Sequence, residues 1–405
     1  MLLLTRHIRG SEVIPIERGG GTETFISSAL ELPAMIPGLE IDVVAPLPEG
    51  GPSPNPSGVR VKYFSAKTLV QLLFVFRNAR NPVANVVLLL AGTLTLAWSG
   101  LKQARAERYD LIYAVGGPIA GLAGIIVKVL TRVPLVMHFQ FVNDFSERNA
   151  VMRFLARKFY ACADLIIGNC PFFARDSIAL GVPESKCRWV FNWVDQNQFK
   201  PRNDRAELRR KFMLSPDQTA FLFAGRLDWT KQADRVIDAL RDFAAPDGAV
   251  FFFAGSGELQ PDLEKLARAN PKIRILGTVA PRDLPDLHNA CDVLLWGALD
   301  IDYPSLVVME AMSSGLPVVT SCETFNYQYE GQLVEPNVVG APQCARHYPP
   351  TREGIRRAIT ETIGDRAFVE DNRETVVKFA RARFGISNAA KLIDIFSHVA
   401  LRSDS

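Results

Sequence analysis

The chain has 405 residues, of which 48% are hydrophobic and 22% charged, and a formal net charge of +3. That length suggests two to three domains with sizeable cores. The hydrophobic content excludes a disordered chain, and so small a charge gives no ground for a nucleic-acid partner.

Met1 to Leu4 is apolar, but Arg6, His7 and Arg9 break the run too early for a secretory signal. No repeat of solenoid period is visible. Leu2 to Thr5 reads as a first strand. After a loop come Gly19-Gly20-Gly21-Thr22-Glu23 and then Phe25, Ile26, Ala29 and Leu30 at helical spacing. A glycine run opening a helix lets backbone amides approach an anionic ligand. It is not Gly-x-Gly-x-x-Gly, so the dinucleotide reading is weak, and a plain flexible loop is the other reading. Ile41 to Val44 is the next strand, and Pro46 to Gly58 is a Pro/Gly/Ser-rich loop.

From Arg60 to Ala106 there is no acidic residue, whereas Arg60, Lys62, Lys67, Arg77, Arg80, Lys102 and Arg105 are all basic. Residues 81 to 101 carry no charge, a run long enough to consider as a membrane span. Asn85, Thr93, Thr95 and two glycines dilute it, which favours a buried or partly exposed helix. Basic residues flanking apolar surface also suit docking on an anionic membrane.

Leu111 to Val115 reads as a buried strand. Gly116-Gly117-Pro118 turns into a small-residue helix ending near Leu130, in which Gly117, Gly121 and Gly124 serve packing. Pro134 to Phe139 is a further strand, with His138 at the end where open α/β sheets take their ligands. A hydrogen-bonded structural histidine is the equal alternative. Asn143 and Asp144 follow as candidate acceptor contacts, and Ala163 to Cys170 is another strand and turn. Lys200 to Lys211 reads as a polar linker with the first helix of a second domain.

Ala220 to Ala224 opens that domain, and Gly225-Arg226-Leu227-Asp228-Trp229-Thr230-Lys231 follows directly. Two cations on a strand-to-helix loop suit a diphosphate: Arg for a forked contact, Lys as a point charge. Solvated surface cations are the bland alternative. Then come the strand Val250 to Ala254, the loop Gly255-Ser256-Gly257, the strand Ile273 to Val279 and a short helix from Leu284 to Ala290. The six cysteines Cys162, Cys170, Cys187, Cys291, Cys322 and Cys344 show no Cys-x-x-Cys and no ligand spacing with His. That predicts reduced thiols and no metal site.

The most informative stretch is Asp302-Tyr303-Pro304-Ser305-Leu306-Val307-Val308-Met309-Glu310-Ala311-Met312-Ser313-Ser314-Gly315-Leu316-Pro317. Asp292 to Trp296 before it and Val318 to Thr320 after it are of strand length, so the whole reads as one right-handed βαβ unit closed by Gly315. Pro304 can open the helix and Ser305 can accept from an early amide. The amides of Ser305, Leu306 and Val307 then form a phosphate site. Glu310, alone in an apolar helix, belongs at a ligand-facing edge because burying it unpaired is costly, or else on a solvated face.

These pieces resemble the retaining glycosyltransferases of family 4, whose motif is a Glu, seven residues, and a second Glu followed by Ala-Met and Gly-Leu-Pro. Glu310-Ala311-Met312 and Gly315-Leu316-Pro317 fit it, with Asp302 at the first acidic position. Gly225-Arg226-Leu227 with Lys231, the Gly-x-Gly of Gly255 and Gly257, Gly20 with Gly21, and Asn192-Trp193-Val194-Asp195 also match, Trp193 replacing a glycine. The resemblance covers most of the chain, most strongly from Phe221 to Val334.

The resemblance implies an α/β protein of two Rossmann-like domains facing across a cleft, the GT-B fold. It implies an N-terminal acceptor-binding domain over 1–197, a nucleotide-sugar-binding domain over 198–383, and a C-terminal segment 384–405 packing back on the first. The implied activity transfers a sugar from a nucleotide-diphosphate sugar to an acceptor, a glycolipid or growing polysaccharide, with retention of configuration. No metal or other cofactor is implied. In the family pattern Arg226, Lys231, Leu306 and Val307 take the diphosphate, and Gly255, Gly257 and Val279 border the base. Glu310 binds the ribose, Asp302 the donor sugar and His138 its far side, and Gly20 and Gly21 border phosphates and acceptor. The expected location is cytoplasmic, peripheral at the inner face of the membrane. Two rivals are a non-catalytic relative that binds a nucleotide sugar or a partner enzyme, and a nicotinamide-dependent dehydrogenase. The latter lacks its glycine fingerprint with a paired acid.

Overall fold

Apolar runs of three to six residues closed by Gly, Pro or Asp become parallel strands, because a strand buried on both faces needs no polar alternation. The computed structural model describes residues 1–5, 25–26, 28–35, 38–46, 59–64, 82–140, 149–297, 305–320, 327–329, 332–334 and 344–401. Two compact units result: Met1–Asn192 together with Ser387–Ser405, and Trp193–Ile386.

The first unit is built on β1 (Leu2–Thr5), β2 (Ile41–Pro46), β3 (Val59–Phe64), β4 (Ile112–Val115), β5 (Leu135–Phe139), β6 (Leu165–Gly168) and β7 (Cys187–Trp189). The sheet order is β3-β2-β1-β4-β5-β6-β7, with every pairing parallel. Its helices are α1 (Leu32–Met35), α2 (Pro82–Ala106), α3 (Pro118–Thr131), α4 (Ala150–Ala161) and α5 (Pro171–Ala179). The crossovers through α2, α3 and α4 all run in the same direction across the sheet, and right-handed crossovers then put all three on one face. Small residues let this layer sit close. A Cβ on Gly121 would stand 2.5 Å from the Phe159 ring, and one on Gly124 2.7 Å from Leu135. The last helix of the chain, numbered below, falls in this unit, with the Phe396 ring 4.7 Å from that of Tyr113.

β3 is an addition to the sequence reading, in which its alternation of Val59 and Val61 with Arg60 and Lys62 is hidden by the acid-free pattern. It is an edge strand, and Arg60 reaches back to the buried Asp42 of β2 at 2.6 Å. The span considered for 81–101 becomes α2, and among the described residues no helix is long and apolar enough to cross a membrane. Gly92, Thr93, Leu96, Ala97, Gly100 and Leu101 of α2 are buried.

The second unit begins with α6 (Arg205–Lys211) and carries β8 (Thr219–Ala224), α7 (Ala233–Leu240), β9 (Ala249–Ala254), α8 (Gln260–Ala269) and β10 (Ile273–Gly277). It continues through α9 (Leu284–Ala290), β11 (Val293–Trp296), α10 (Leu306–Ser313) and β12 (Val318–Thr320). An antiparallel hairpin, β13 (Tyr327–Tyr329) with β14 (Gln332–Val334), precedes β15 (Ala345–His347). Then come α11 (Arg352–Thr362) and α12 (Arg373–Phe384), and the chain's last helix is α13 (Ser387–Leu401). The sheet order is β10-β9-β8-β11-β12-β15, all parallel. This is the doubly wound order whose strands fan out from a switch point, here between β8 and β11. Paired phenylalanines, Phe221 stacked on Phe251 at 5.3 Å and Phe223 tilted against Phe253 at 5.5 Å, fill the core between β8, β9 and the helices. At the opposite end of the strands the buried Asp292 accepts from Arg209 at 2.9 Å and from the Ala220 amide at 2.7 Å, and pairs with Arg205. That tie fixes α6 to the base of the sheet.

Candidate active site

Ligands of open α/β sheets bind beyond the carboxyl ends of the strands, at the switch point. In the second unit the two loops there are those after β8 and β11, and they lead to Arg226 with Lys231 and to the start of α10.

The first loop is organised by Asp228. Its Oδ1 accepts from the Lys231 amide at 3.2 Å and from Thr230 Oγ1 at 2.6 Å, capping the single turn Trp229–Lys231. Its Oδ2 lies 3.4 Å from Arg226 Nη1, while Arg226 Nη2 donates to Thr230 Oγ1 at 3.2 Å. The guanidinium is held at its base yet remains two-thirds exposed, and Lys231 is half-buried. Sequence reasoning assigned no role to Asp228 or Thr230, although an Asp three residues before the end of a turn is a capping pattern. Gly297, at the end of β11, closes against the same turn: a Cβ there would stand 2.9 Å from Gln232 and 3.3 Å from the Lys231 carbonyl.

The glycines of the neighbouring loop have a packing cause. Gly255 has φ +145, and a Cβ on it would sit 1.8 Å from the Gly225 carbonyl oxygen; one on Gly257 would sit 2.4 Å from that of Leu227. Backbone bonds from Gly225 N to Ala254 O (2.9 Å) and Leu227 N to Ser256 O (3.0 Å) stitch the loops after β8 and β9 together. The Gly255 amide reaches Gly277 O at the end of β10, and Val279 stands two residues further on, half-buried. The strand predicted to reach Val279 therefore ends at Gly277, where φ is +67.

Across the switch point α10 starts at Ser305. The expected side-chain cap is not made: among the described residues Ser305 makes no capping bond, and its buried Oγ has no partner. The Ser305 carbonyl takes Val308 N (3.0 Å) and Met309 N (3.3 Å), which leaves the amides of Leu306 and Val307 without an acceptor among the described residues. Such amides at a helix start attract an anion. The other end is closed as predicted. Gly315 (φ +88) donates to Met312 O and Leu316 to Ala311 O, the paired bonds of a Schellman stop. Glu310 lies half-buried between the buried Met309 and Ala311. Asp302 and Pro304 lie outside the described residues, as do Gly20, Gly21, Asn143 and Asp144.

In the first unit His138 is 1% exposed on β5. Gln140 Nε2 lies 3.1 Å from His138 Nε2, and Gln140 Oε1 accepts from Asn192 Nδ2 at 2.8 Å. The amide nitrogen can only donate, so Nε2 accepts, and the network assigns the ring proton to Nδ1, 2.5 Å from Tyr113 Oη. Burial pushes the His138 pKa down to about 3. Both ring nitrogens are thus engaged by protein, as the structural alternative requires. Nothing in the sequence marked Tyr113 or Gln140 as its partners, and Asn192 was marked only as part of the Asn-Trp-Val-Asp segment, because the three come from separate strands and loops. Among the described residues no group of three or more His, Cys, Asp or Glu side chains could hold a metal ion.

Comparison with known proteins agrees with this geometry. The family model for glycosyl transferases group 1 matches residues 204–342, and that for the glycosyl transferase 4-like domain matches 19–193. An uncharacterised glycosyltransferase of Methanocaldococcus jannaschii is 24% identical over 70% of this chain and 74% of its own. The sulfoquinovosyl transferase of Arabidopsis thaliana is 28% identical over 56% of this chain, and the match spans 46% of that protein. Among solved structures, Anabaena HepE in complex with UDP-glucose superposes with a TM-score of 0.70 at 19% identity, over 98% of this chain and 99% of that one. The chain belongs to the group 1 glycosyl transferases, of family 4 type, and has their two-domain α/β GT-B fold.

Proposed function

We propose that the chain transfers a sugar from a nucleotide-diphosphate sugar to a lipid-linked or polysaccharide acceptor, with retention of configuration and without a metal. The observation that carries this is the Asp228-held loop carrying Arg226 and Lys231 at the switch point, with the amides of Leu306 and Val307, which have no acceptor among the described residues, on its other side. Cations on one loop of the switch point and helix-start amides on the other would stabilise the charge that develops as a diphosphate leaves an oxocarbenium-like sugar. In this reading Glu310 holds the ribose hydroxyls, Gly255, Gly257 and Val279 border the base, Asp302 meets the donor sugar, and Gly20 and Gly21 border the acceptor. His138 contributes by position. A ring with a pKa near 3 stays neutral at physiological pH, so it orders Gln140 and Tyr113 at the strand end and does not act as a proton donor.

The acid-free stretch 60–106 supports a peripheral place on an anionic membrane, which suits an acceptor whose lipid tail stays in the bilayer. UDP binding by HepE supports a nucleotide-sugar donor. A calorimetric screen of UDP, GDP and ADP tests the assignment, followed by nuclear magnetic resonance of the anomeric proton formed. Arg226→Ala and Lys231→Ala should each weaken binding of the preferred diphosphate by roughly 1.5–3 kcal/mol, the worth of one charge-assisted hydrogen bond. Unchanged affinity in both removes the phosphate assignment.

A further inference from the structure

The layer α2, α3 and α4 on one face of the first sheet has two unusual properties. None of the three helices contains an Asp or Glu, although Lys102, Arg105, Lys128, Arg153, Arg157 and Lys158 stand on them. All three also show large apolar side chains to solvent; on α3 these are Val129 and Leu130, in its last turn. On α2 these are Val86, Leu90, Leu94 and Trp98, spaced by four so that they share one stripe, with Trp98 69% exposed. On α4 they are Val151, Met152, Phe154 and Leu155, all at least 45% exposed.

α2 and α4 carry the same gradient along their length. The exposed apolar residues begin each helix and cations stand behind them, Lys102 and Arg105 on α2 and Arg157 and Lys158 on α4, with Arg153 already among the apolar residues of α4. Both starts lie toward the carboxyl ends of the strands, because each helix runs back along the sheet and is linked to the start of its next strand by only a few residues. α2 has 25 residues against the four of β4. At about 1.5 Å per helical residue and 3.3 Å per strand residue its first turns project beyond the sheet at that end. The exposed start of α4 is a formed helix, since the Asn149 side chain accepts from Met152 N at 3.0 Å. Its second half is anchored by Tyr160 and Phe159 against Phe139.

We infer that α4 is a second membrane-docking element, and that the starts of α2 and α4 insert side by side into an anionic bilayer with their cations at the headgroup phosphates. The inference deepens the membrane reading above and rests on it for the choice of a lipid surface. Apolar side chains gain by entering the acyl boundary, and the cations behind them gain from anionic headgroups. α2 and α4 carry no carboxylate of their own to repel those headgroups. With α3 between them the two wedges stand roughly 20 Å apart at ordinary helix spacing, so they fix the tilt of the unit as well as hold it.

The test is flotation of the full chain with phosphatidylcholine vesicles with and without phosphatidylglycerol, at low and high salt, with UDP affinity by calorimetry and mass by light scattering alongside. The variants are Phe154→Gln with Leu155→Gln, Arg153→Glu with Arg157→Glu and Lys158→Glu, and Leu90→Gln with Leu94→Gln. The unaltered chain should float with anionic vesicles only and be released by salt. Both α4 variants should lose more than about tenfold in vesicle affinity while keeping UDP affinity and thermal midpoint. Full flotation of both α4 variants, with loss in the α2 variant alone, overturns the role of α4 and leaves docking through 60–106. No flotation of the unaltered chain overturns both docking readings, and retained UDP affinity then leaves the transferase reading standing. A dimer that the α4 variants convert to monomer overturns the lipid assignment in favour of a second copy of the chain.

Discussion

Asp228 sets the sign of a test that charge alone would predict the other way. A carboxylate beside the proposed diphosphate site would repel the ligand, so its loss should tighten binding if only charge mattered. In the structure it accepts from the Lys231 amide and Thr230 and pairs with Arg226, so its loss frees the loop that aims both cations. Asp228→Ala is expected to weaken UDP binding, and to cost about 1 kcal/mol of stability as the loss of a capping residue. Tighter binding by calorimetry would show that geometry is not what the residue supplies. The two buried histidines make a pH prediction. His138 and His288 are both pushed down to about 3 by burial, and among the described residues neither ring nitrogen of His288 has a partner. Below pH 6.5 the unfolded chain binds protons on both rings and the folded chain does not. Stability is therefore full above pH 6.5 and falls as pH drops toward 3, by about 1.4 kcal/mol per unit for each ring. Urea midpoints between pH 6.5 and 5 should show this slope, and His288→Leu should remove about half of it. A slope identical in that variant would contradict the assignment.

Elements were legible where composition and period agreed. The stretch from Val293 to Thr320 reads from sequence as strand, helix, glycine stop and strand, because apolar runs of different length and a single Gly leave few alternatives, and the structure gives β11, α10, Gly315 and β12. β3 was not legible, since as an edge strand it alternates Val with Arg and Lys while the inner strands of the sheet are mostly apolar. α2 drew competing readings because it is apolar on two faces at once, one against the sheet and one toward solvent. The Gly255 loop shows a limit of motif reading. Its glycines look like ligand glycines, but the backbone of the next loop already excludes a side chain there. Gly255→Ala should therefore separate the loops after β8 and β9, lowering the thermal midpoint and weakening UDP binding together. Gly225→Ala meets open space at its Cβ and carries only the cost of a φ of +146, about 1–2 kcal/mol for a side chain in a left-handed region. The smaller loss should fall on Gly225→Ala; the reverse ranking by calorimetric unfolding would reject the packing cause.

Across the whole molecule, the two sheets could be anticipated because strand and helix patterns alternate along almost all of the chain. The placement of His138 could not, because burial and the Gln140–Asn192 link depend on residues 52 positions apart meeting at one strand end. The same holds for α13, which follows the second unit in sequence but belongs to the first. The chemistry also has to be balanced at this scale. A nucleoside diphosphate leaves with several negative charges, and an enzyme compensates them with a divalent cation or with its own groups. Here the loops at the switch point of the second sheet carry Arg226, Lys231 and the amides of Leu306 and Val307, groups that the protein itself supplies. On that ground the initial rate of sugar transfer should stay within about twofold of its untreated value in excess EDTA, since the compensating donors are the protein's own. Added Mg²⁺ or Mn²⁺ should change it no further. Loss of turnover in chelator, with recovery on adding either cation, would mean that these four groups do not carry the leaving charge by themselves.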